Sequence, residues 1–404
     1  MAANEREREG LQLLLLVVVL FSLFRYFHDL AKILLESQFI DFAHYYTYAF
    51  MASKGLDLFD PQAVIGVDQL LQIWRAGAPA NYPPLFYLLM QPWVLFPFYP
   101  AALIWFFASQ ACLFGALALC FRDSACVSPV RGSAVLFVVL NYQPLLESLA
   151  LGQANVLALL LVSFAWWGLR ADRPWITASA VAVVLHIKVQ YGLLLLMLWW
   201  VGYRAVAARA IFLAGLGLGV SLAVLGPATH LEYLRYVLSL PDYLLTWTAN
   251  IAPRATVHRL LEPVGHGRAI ADGLWLILGI GLLFFMARAI PRALPSRSPA
   301  LDWAWGLGLI LILLLSPLTE EHHLVVLLLP ITLLLIKETD VPLSQKELTV
   351  LVASLLLLGG RYSLERFPDF HSGVLSLLAT GKLLGMIGLA WVLIFRLRAE
   401  RAPA

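Results

Sequence analysis

Thirteen apolar runs separated by short polar loops constrain this chain more than any other feature. They fall at roughly 11–27, 84–98, 101–121, 133–149, 154–170, 175–187, 190–203, 210–226, 273–290, 301–316, 323–337, 347–360 and 374–396. Charged residues are 13% of the chain, where a soluble domain carries about 25%, and mean hydropathy is +0.81. Together these predict an all-α polytopic membrane protein forming a single membrane-embedded domain over residues 1–404. The net charge of +3 comes without a basic run interleaved with aromatics, so nothing points to nucleic acid. Cys112, Cys120 and Cys126 lie in or beside one run with no CxxC spacing, and read as small core residues rather than a disulfide or zinc framework. After the apolar stretch Leu11–Phe24 of the first run comes Arg25–Tyr26–Phe27–His28 rather than a small-residue cleavage site. That run is expected to remain as a span and not to leave as a signal peptide.

Several runs are shorter than the ~20 residues of an ordinary crossing, and the Lys and Arg positions decide the topology. If 84–98, bracketed by Pro83–Pro84 and Pro97, is re-entrant or lies along the surface, the positive charges fall on one side. The loops with Arg122/Arg131, Arg170/Arg173, Arg204/Arg209, Arg288/Arg292/Arg297 and Lys337/Lys346 are then cytoplasmic. So are the terminal Arg6/Arg8 and Arg396/Arg398/Arg401. About 12 spans result, with both termini inside and two long outer loops, 28–100, which carries juxtamembrane helices, and 227–272. This choice, made on charge alone, also sends Gln153, Lys188, Ser316–Pro317, Glu320–His323 and Arg361–Arg366 to the outer face. A purely structural bundle has no need to collect its polar groups on one side.

Asp41 opens the polar, aromatic segment 41–64, with His44 and Tyr45 at i+3 and i+4 on one helical face. A carboxylate at a membrane boundary is chemistry placed where lipid-linked substrates sit; the structural alternative is a helix N-cap. Asn81–Tyr82–Pro83–Pro84–Leu85 fixes the entry of the next helix. In Gly152–Gln153–Ala154–Asn155, the two amides suit a sugar or phosphate, or interhelical hydrogen bonds. Lys188 lacks an acidic neighbour in sequence and suits a lipid phosphate, or snorkels. Glu320 and Glu321 are explained by the dipole of the helix they open. His322 and His323 are less easily dismissed. Adjacent helical positions point about 100° apart, so the pair is not expected to chelate a metal, and only one is expected to face the site. The second outer loop holds Asn250, Arg254, His258, Arg259 and Glu262, after a Tyr- and Leu-rich stretch, 231–243, that suits the membrane interface. Arg259 can hold an anion or pair with Glu262. Lys382 lies within the last run and either snorkels outward or faces a polar cavity.

Taken in order and on one face, these motifs resemble the GT-C-type glycosyltransferases grouped as glycosyltransferase family 87, which include mycobacterial polyprenyl-phosphate-mannose-dependent α-mannosyltransferases. The carriers are Asp41–Phe42 with Tyr45/Tyr46, Asn81–Leu85, Gly152–Asn155, Lys188, Ser316–Pro317, His322–His323 and Leu329–Pro330, and the likeness covers about residues 11–340. Val189–Gln190–Tyr191 and Asn250–Ile251–Ala252 depart from the family pattern. The resemblance implies inverting transfer of a sugar, above all mannose, from a polyprenyl-phosphate donor to a lipid or glycan acceptor. It places the reaction on the extracytoplasmic face of a bacterial plasma membrane, among membrane lipids, with no cofactor and no essential metal. Asp41 would be the base, with His322 or His323 as its rival or partner. Lys188 and Arg259 would hold phosphate, and His44, Tyr45, Tyr82, Gln153, Asn155 and Asn250 would bind substrate. A flippase for a lipid-linked glycan is the alternative, but it would place paired ionisable groups near mid-membrane, where this sequence has only Lys382.

Overall fold

The computed structural model describes residues 2–73, 79–124, 127–239, 242–264, 266–337, 342–361 and 367–400; Cys126, Arg366 and Arg401 lie outside them. Every regular element among these residues is helical. Among the described residues, five helices are long and apolar enough to cross a membrane: Leu13–Glu36, Phe98–Arg122, Arg204–Leu238, Gly267–Ala289 and Val374–Ala399. Pro129–Leu140 and Gln143–Leu151 together are also long and apolar enough, bent by 46° at Asn141–Tyr142 as a broken span or a re-entrant pair, where Pro144 opens the second half. The chain is therefore a helical membrane protein.

Other apolar runs form shorter helices, among them Asn155–Arg170, Pro174–Ile187 and Pro299–Leu315. Apart from Asp302 in its first turn, Pro299–Leu315 is apolar all round and buried over nearly its whole length, as a helix at the centre of a bundle must be. The run 84–98 breaks at Met90 into Pro84–Leu89 and a 3-10 turn, Gln91–Leu95. The segments read as outer loops are largely helical. Residues 28–100 contain the end of the first helix, then Ile40–Ser53, Pro61–Leu70 and Pro84–Leu95; residues 227–272 contain Asp242–Thr246 and Pro253–Leu261. Arg204–Leu238 is broken at Gly226 (φ 78°), followed by Pro227, which has no N–H to continue the ladder.

Four helix ends meet in a buried ionic network. Lys337 Nζ contacts Asp123 Oδ2 at 2.7 Å and Asp302 Oδ2 at 2.6 Å. Arg170 Nε lies 3.1 Å from Asp123 Oδ2, and the Trp166 indole donates to Asp302 Oδ1 at 2.7 Å. Arg170 and Lys337 close their helices while Asp302 sits in the first turn of its own, so each charge opposes its helix dipole favourably. The far ends of these same helices carry Asn155, Ser316 and the segment through His323. Lys382 does not snorkel. It is 3% exposed, and its Nζ bonds Glu321 Oε1 at 2.9 Å, the Leu358 carbonyl at 2.8 Å and the Gly360 carbonyl. Cys120 is buried and Cys112 half-buried, both as free thiols.

Candidate active site

Gly152 ends the helix Gln143–Leu151 in the left-handed region (φ 71°), and a Cβ there would lie 2.7 Å from Phe42 Cβ. Only glycine lets the Ile40–Ser53 helix approach this turn so closely. Trp105 Nε1 holds the Gly152 carbonyl at 2.8 Å while its ring stacks on Phe42 at 5.7 Å. That approach puts Asp41 beside Gln153. Asp41 is not an N-cap: Phe39 occupies that position, and Asp41 Oδ2 instead accepts from Gln153 Nε2 at 2.6 Å. Gln153 Oε1 in turn accepts from the Tyr45 and Tyr82 hydroxyls, each at 2.9 Å, and from Asn155 Nδ2 at 3.4 Å. With its carbonyl committed to the tyrosines, the Gln153 amide presents its NH₂ to Asp41. The second Asp41 oxygen accepts no hydrogen bond among the described residues.

Asp41, Tyr82, Gln153, Lys188, His322 and His323 line one cavity of about 510 Å³. Lys188 leaves the helix path where Pro174–Ile187 ends, in extended conformation (φ −145°), and its ammonium lies 5.8 Å from the Tyr82 ring centroid. No carboxylate among the described residues is within ion-pairing distance of it. The histidines sit on a 3-10 segment, Glu321–Leu327, rather than an α-helix. With their rings edge to face at 4.5 Å, both reach the cavity, contrary to the expectation that only one would. Both His322 ring nitrogens are buried without a hydrogen-bond partner. Its Nδ1 is 3.8 Å from Glu320 Oε2 and 3.9 Å from Glu147 Oε1. His323 Nδ1 accepts the Glu320 backbone N–H at 3.1 Å.

Burial raises the Asp41 carboxyl above the usual carboxylate range, opposed by the charge of His322, the Gln153 hydrogen bond and the Lys188 ammonium. Burial likewise raises Glu320 and lowers Lys188. A carboxylate poised above its ordinary pKa is a better proton acceptor when ionised, and an unpaired, desolvated ammonium is suited to an incoming anion. Glu320, His322 and His323 each offer a ligand atom, all within 4.8 Å of one another. They fit a divalent metal poorly. With Nδ1 engaged as an acceptor, a neutral His323 carries its proton on the remaining nitrogen, leaving two ready ligands where a stable site needs three or four.

Other expected site residues lie elsewhere. His44 turns from the cavity to Tyr48, at 4.7 Å between rings, and to the Tyr87 hydroxyl at 3.2 Å. Tyr45 and Asn155 act through Gln153. Asn250 is a clamp: Nδ2 donates to the Leu244 and Pro317 carbonyls, and Oδ1 accepts from the Ala252 and Thr319 N–H groups. Arg259, 1% exposed, donates to the Trp247 and Asn250 carbonyls at 2.8 and 2.7 Å. It binds the loop's own backbone, not a cavity anion or Glu262. Arg254 and His258 both engage Asp272. The sequence reading missed Glu320, Gln190, Tyr233 and Tyr236, which line the cavity, and Glu147 behind His322. An acid inside an apolar run, as Glu147 is, was the available signal.

The fold and cavity define a helical membrane protein with two carboxylates, Asp41 and Glu320, one lysine and two histidines gathered in a cavity at the end of its helix bundle. The chain belongs to glycosyltransferase family 87, whose sequence profile matches residues 81–317. Asp41 precedes the matched stretch and His322–His323 follow it closely, so the match is narrower than the expected 11–340. A relative from Mycobacterium tuberculosis, polyprenol-phosphate-mannose-dependent alpha-(1-2)-phosphatidylinositol pentamannoside mannosyltransferase, is 30% identical over 258 residues. The alignment covers 61% of this chain and 56% of that relative.

Proposed function

We propose that this protein transfers a sugar, mannose by likeness to its relative, from a polyprenyl-phosphate donor to a hydroxyl of a lipid-linked or glycan acceptor. The observation that carries this reading is the convergence of Asp41 and the unpaired Lys188 on one cavity. Asp41 takes the acceptor hydroxyl's proton as that oxygen attacks the anomeric carbon. The bond from that carbon to the phosphate oxygen breaks, and polyprenyl phosphate leaves against Lys188. One base and one displacement invert the anomeric centre; the paired carboxylates of a retaining mechanism are not needed. Gln153, Tyr45 and Tyr82 hold Asp41 in register.

The topology that accompanies this reading has about 12 spans, both termini cytoplasmic and the cavity on the outer face of a bacterial plasma membrane. Single-cysteine labelling of intact cells is expected to modify position 53 and spare position 296; the reverse pattern would invert the assignment.

Donor binding tests the role of Lys188. Purified wild type is expected to bind polyprenyl-phosphate-mannose. Lys188→Ala should weaken binding by about 1.5–3 kcal/mol, the worth of one charge-assisted contact, and Lys188→Arg should recover part of it. Equal affinity in all three would leave Lys188 no role in holding phosphate.

A further inference from the structure

The two adjacent histidines differ in a way that the sequence does not reveal. His323 Nδ1 accepts the backbone N–H of Glu320 at 3.1 Å, while the backbone N–H of His323 donates to the Glu320 carbonyl at 3.0 Å. The exchange fixes the ring against the start of the 3-10 segment. A ring nitrogen that accepts a hydrogen bond carries no proton, so the neutral imidazole must carry its proton on Nε2. Protonating the ring would cost the Glu320 contact. His323 is 7% exposed and lines the same cavity as Lys188, and Nε2 has no hydrogen-bond partner among the described residues. That N–H opens on the cavity, where an acceptor brought in by a ligand is a partner it can take. His322 is constrained differently: neither nitrogen is engaged, its nearest acidic oxygens are at 3.8 and 3.9 Å, and nothing fixes its tautomer.

We infer that His323 is held as a permanently neutral, Nε2-protonated imidazole, and that this N–H donates to a phosphoryl oxygen of the lipid-phosphate donor beside Lys188. The inference rests on the lipid-phosphate reading above and assigns the two histidines separate tasks. His323 cannot serve as a base, because its only free nitrogen already bears a proton. His322 is the member of the pair able to exchange one. As the sugar leaves, negative charge grows on the phosphate, and the Nε2–H···O bond strengthens with it.

The test uses the full chain in detergent and a short polyprenyl phosphate, the reaction's lipid product, as the binding probe. His323→Asn keeps an acceptor near the Nδ1 position, and so the Glu320 contact, but removes the Nε2–H. It is expected to keep the wild-type melting temperature while binding the probe roughly 10–100-fold more weakly, the worth of one hydrogen bond to a charged group. His323→Gln places an amide N–H near the lost donor, and is expected to regain part of the affinity while melting lower. Nitrogen NMR of ¹⁵N-histidine-labelled wild type, with the His323 signal assigned by its loss in His323→Gln, is expected to show Nε2 protonated and Nδ1 bare. Wild-type affinity in His323→Asn, or a proton on Nδ1, would overturn the inference alone. Failure of the wild type to bind the probe at all would remove the lipid-phosphate reading and this inference with it.

Discussion

Asp41→Asn is expected to fold, bind donor like the wild type and transfer sugar about 10²–10⁴-fold more slowly, the usual range for loss of a general base. Asparagine keeps the size of the side chain and an oxygen that can accept the Gln153 N–H now bonded at 2.6 Å, but it cannot take a proton at neutral pH. The substitution therefore removes the chemistry while sparing the packing. Asp41 caps no helix N–H, so the few tenths of a kcal/mol that an exchange of caps would cost are not at stake here. The pH profile adds a second readout. Burial raises the carboxyl's pKa, and the base works only when ionised. Transfer should thus decline as pH falls through a value above the ordinary carboxylate range, rather than only near pH 4. A wild-type rate in Asp41→Asn would move the base elsewhere, with His322 first in line.

The second large effect lies at the other end of the bundle. Asp302→Ala is expected to destabilise the protein by about 3–5 kcal/mol, because removing one member of a buried ion cluster strands the others. Asp302 is fully buried. Without it Lys337 and Arg170 share Asp123 alone, and the Trp166 indole loses its acceptor. Asp302→Asn, which keeps an acceptor for Trp166 and Lys337, should lose less. The cavity lies at the far ends of these helices, so protein that survives purification should transfer sugar at close to the wild-type rate. Thermal inactivation in detergent separates the two effects. An unchanged melting temperature in Asp302→Ala would mean that the network contributes no stability.

The part of the site that was legible in the sequence was legible because polar groups are conspicuous in an apolar chain. Asp41, Gln153, Lys188 and the histidine pair stood out against their neighbours, and all five line one cavity. What stayed hidden was what each polar group does with its hydrogen bonds. Arg259 and Asn250 look like ligand-binding residues until their donors are followed to backbone carbonyls, a need that every irregular buried segment creates and no residue type announces. Glu320 and Glu321 share one explanation in sequence, yet the first lines the cavity and the second pairs with Lys382. Glu147 was lost in the average hydropathy of its run. The fold class followed from composition, but run lengths could not show that several runs are short helices buried in the bundle.

The most direct measurement is incubation of the purified protein with radiolabelled polyprenyl-phosphate-mannose and a panel of lipid and glycan acceptors, with Asp41→Asn alongside. The account predicts label in a new glycosylated product formed by the wild type, with inverted anomeric configuration and release of polyprenyl phosphate, and almost none from the variant. Label that stays on the donor with every acceptor, or a product formed equally fast by Asp41→Asn, would contradict it.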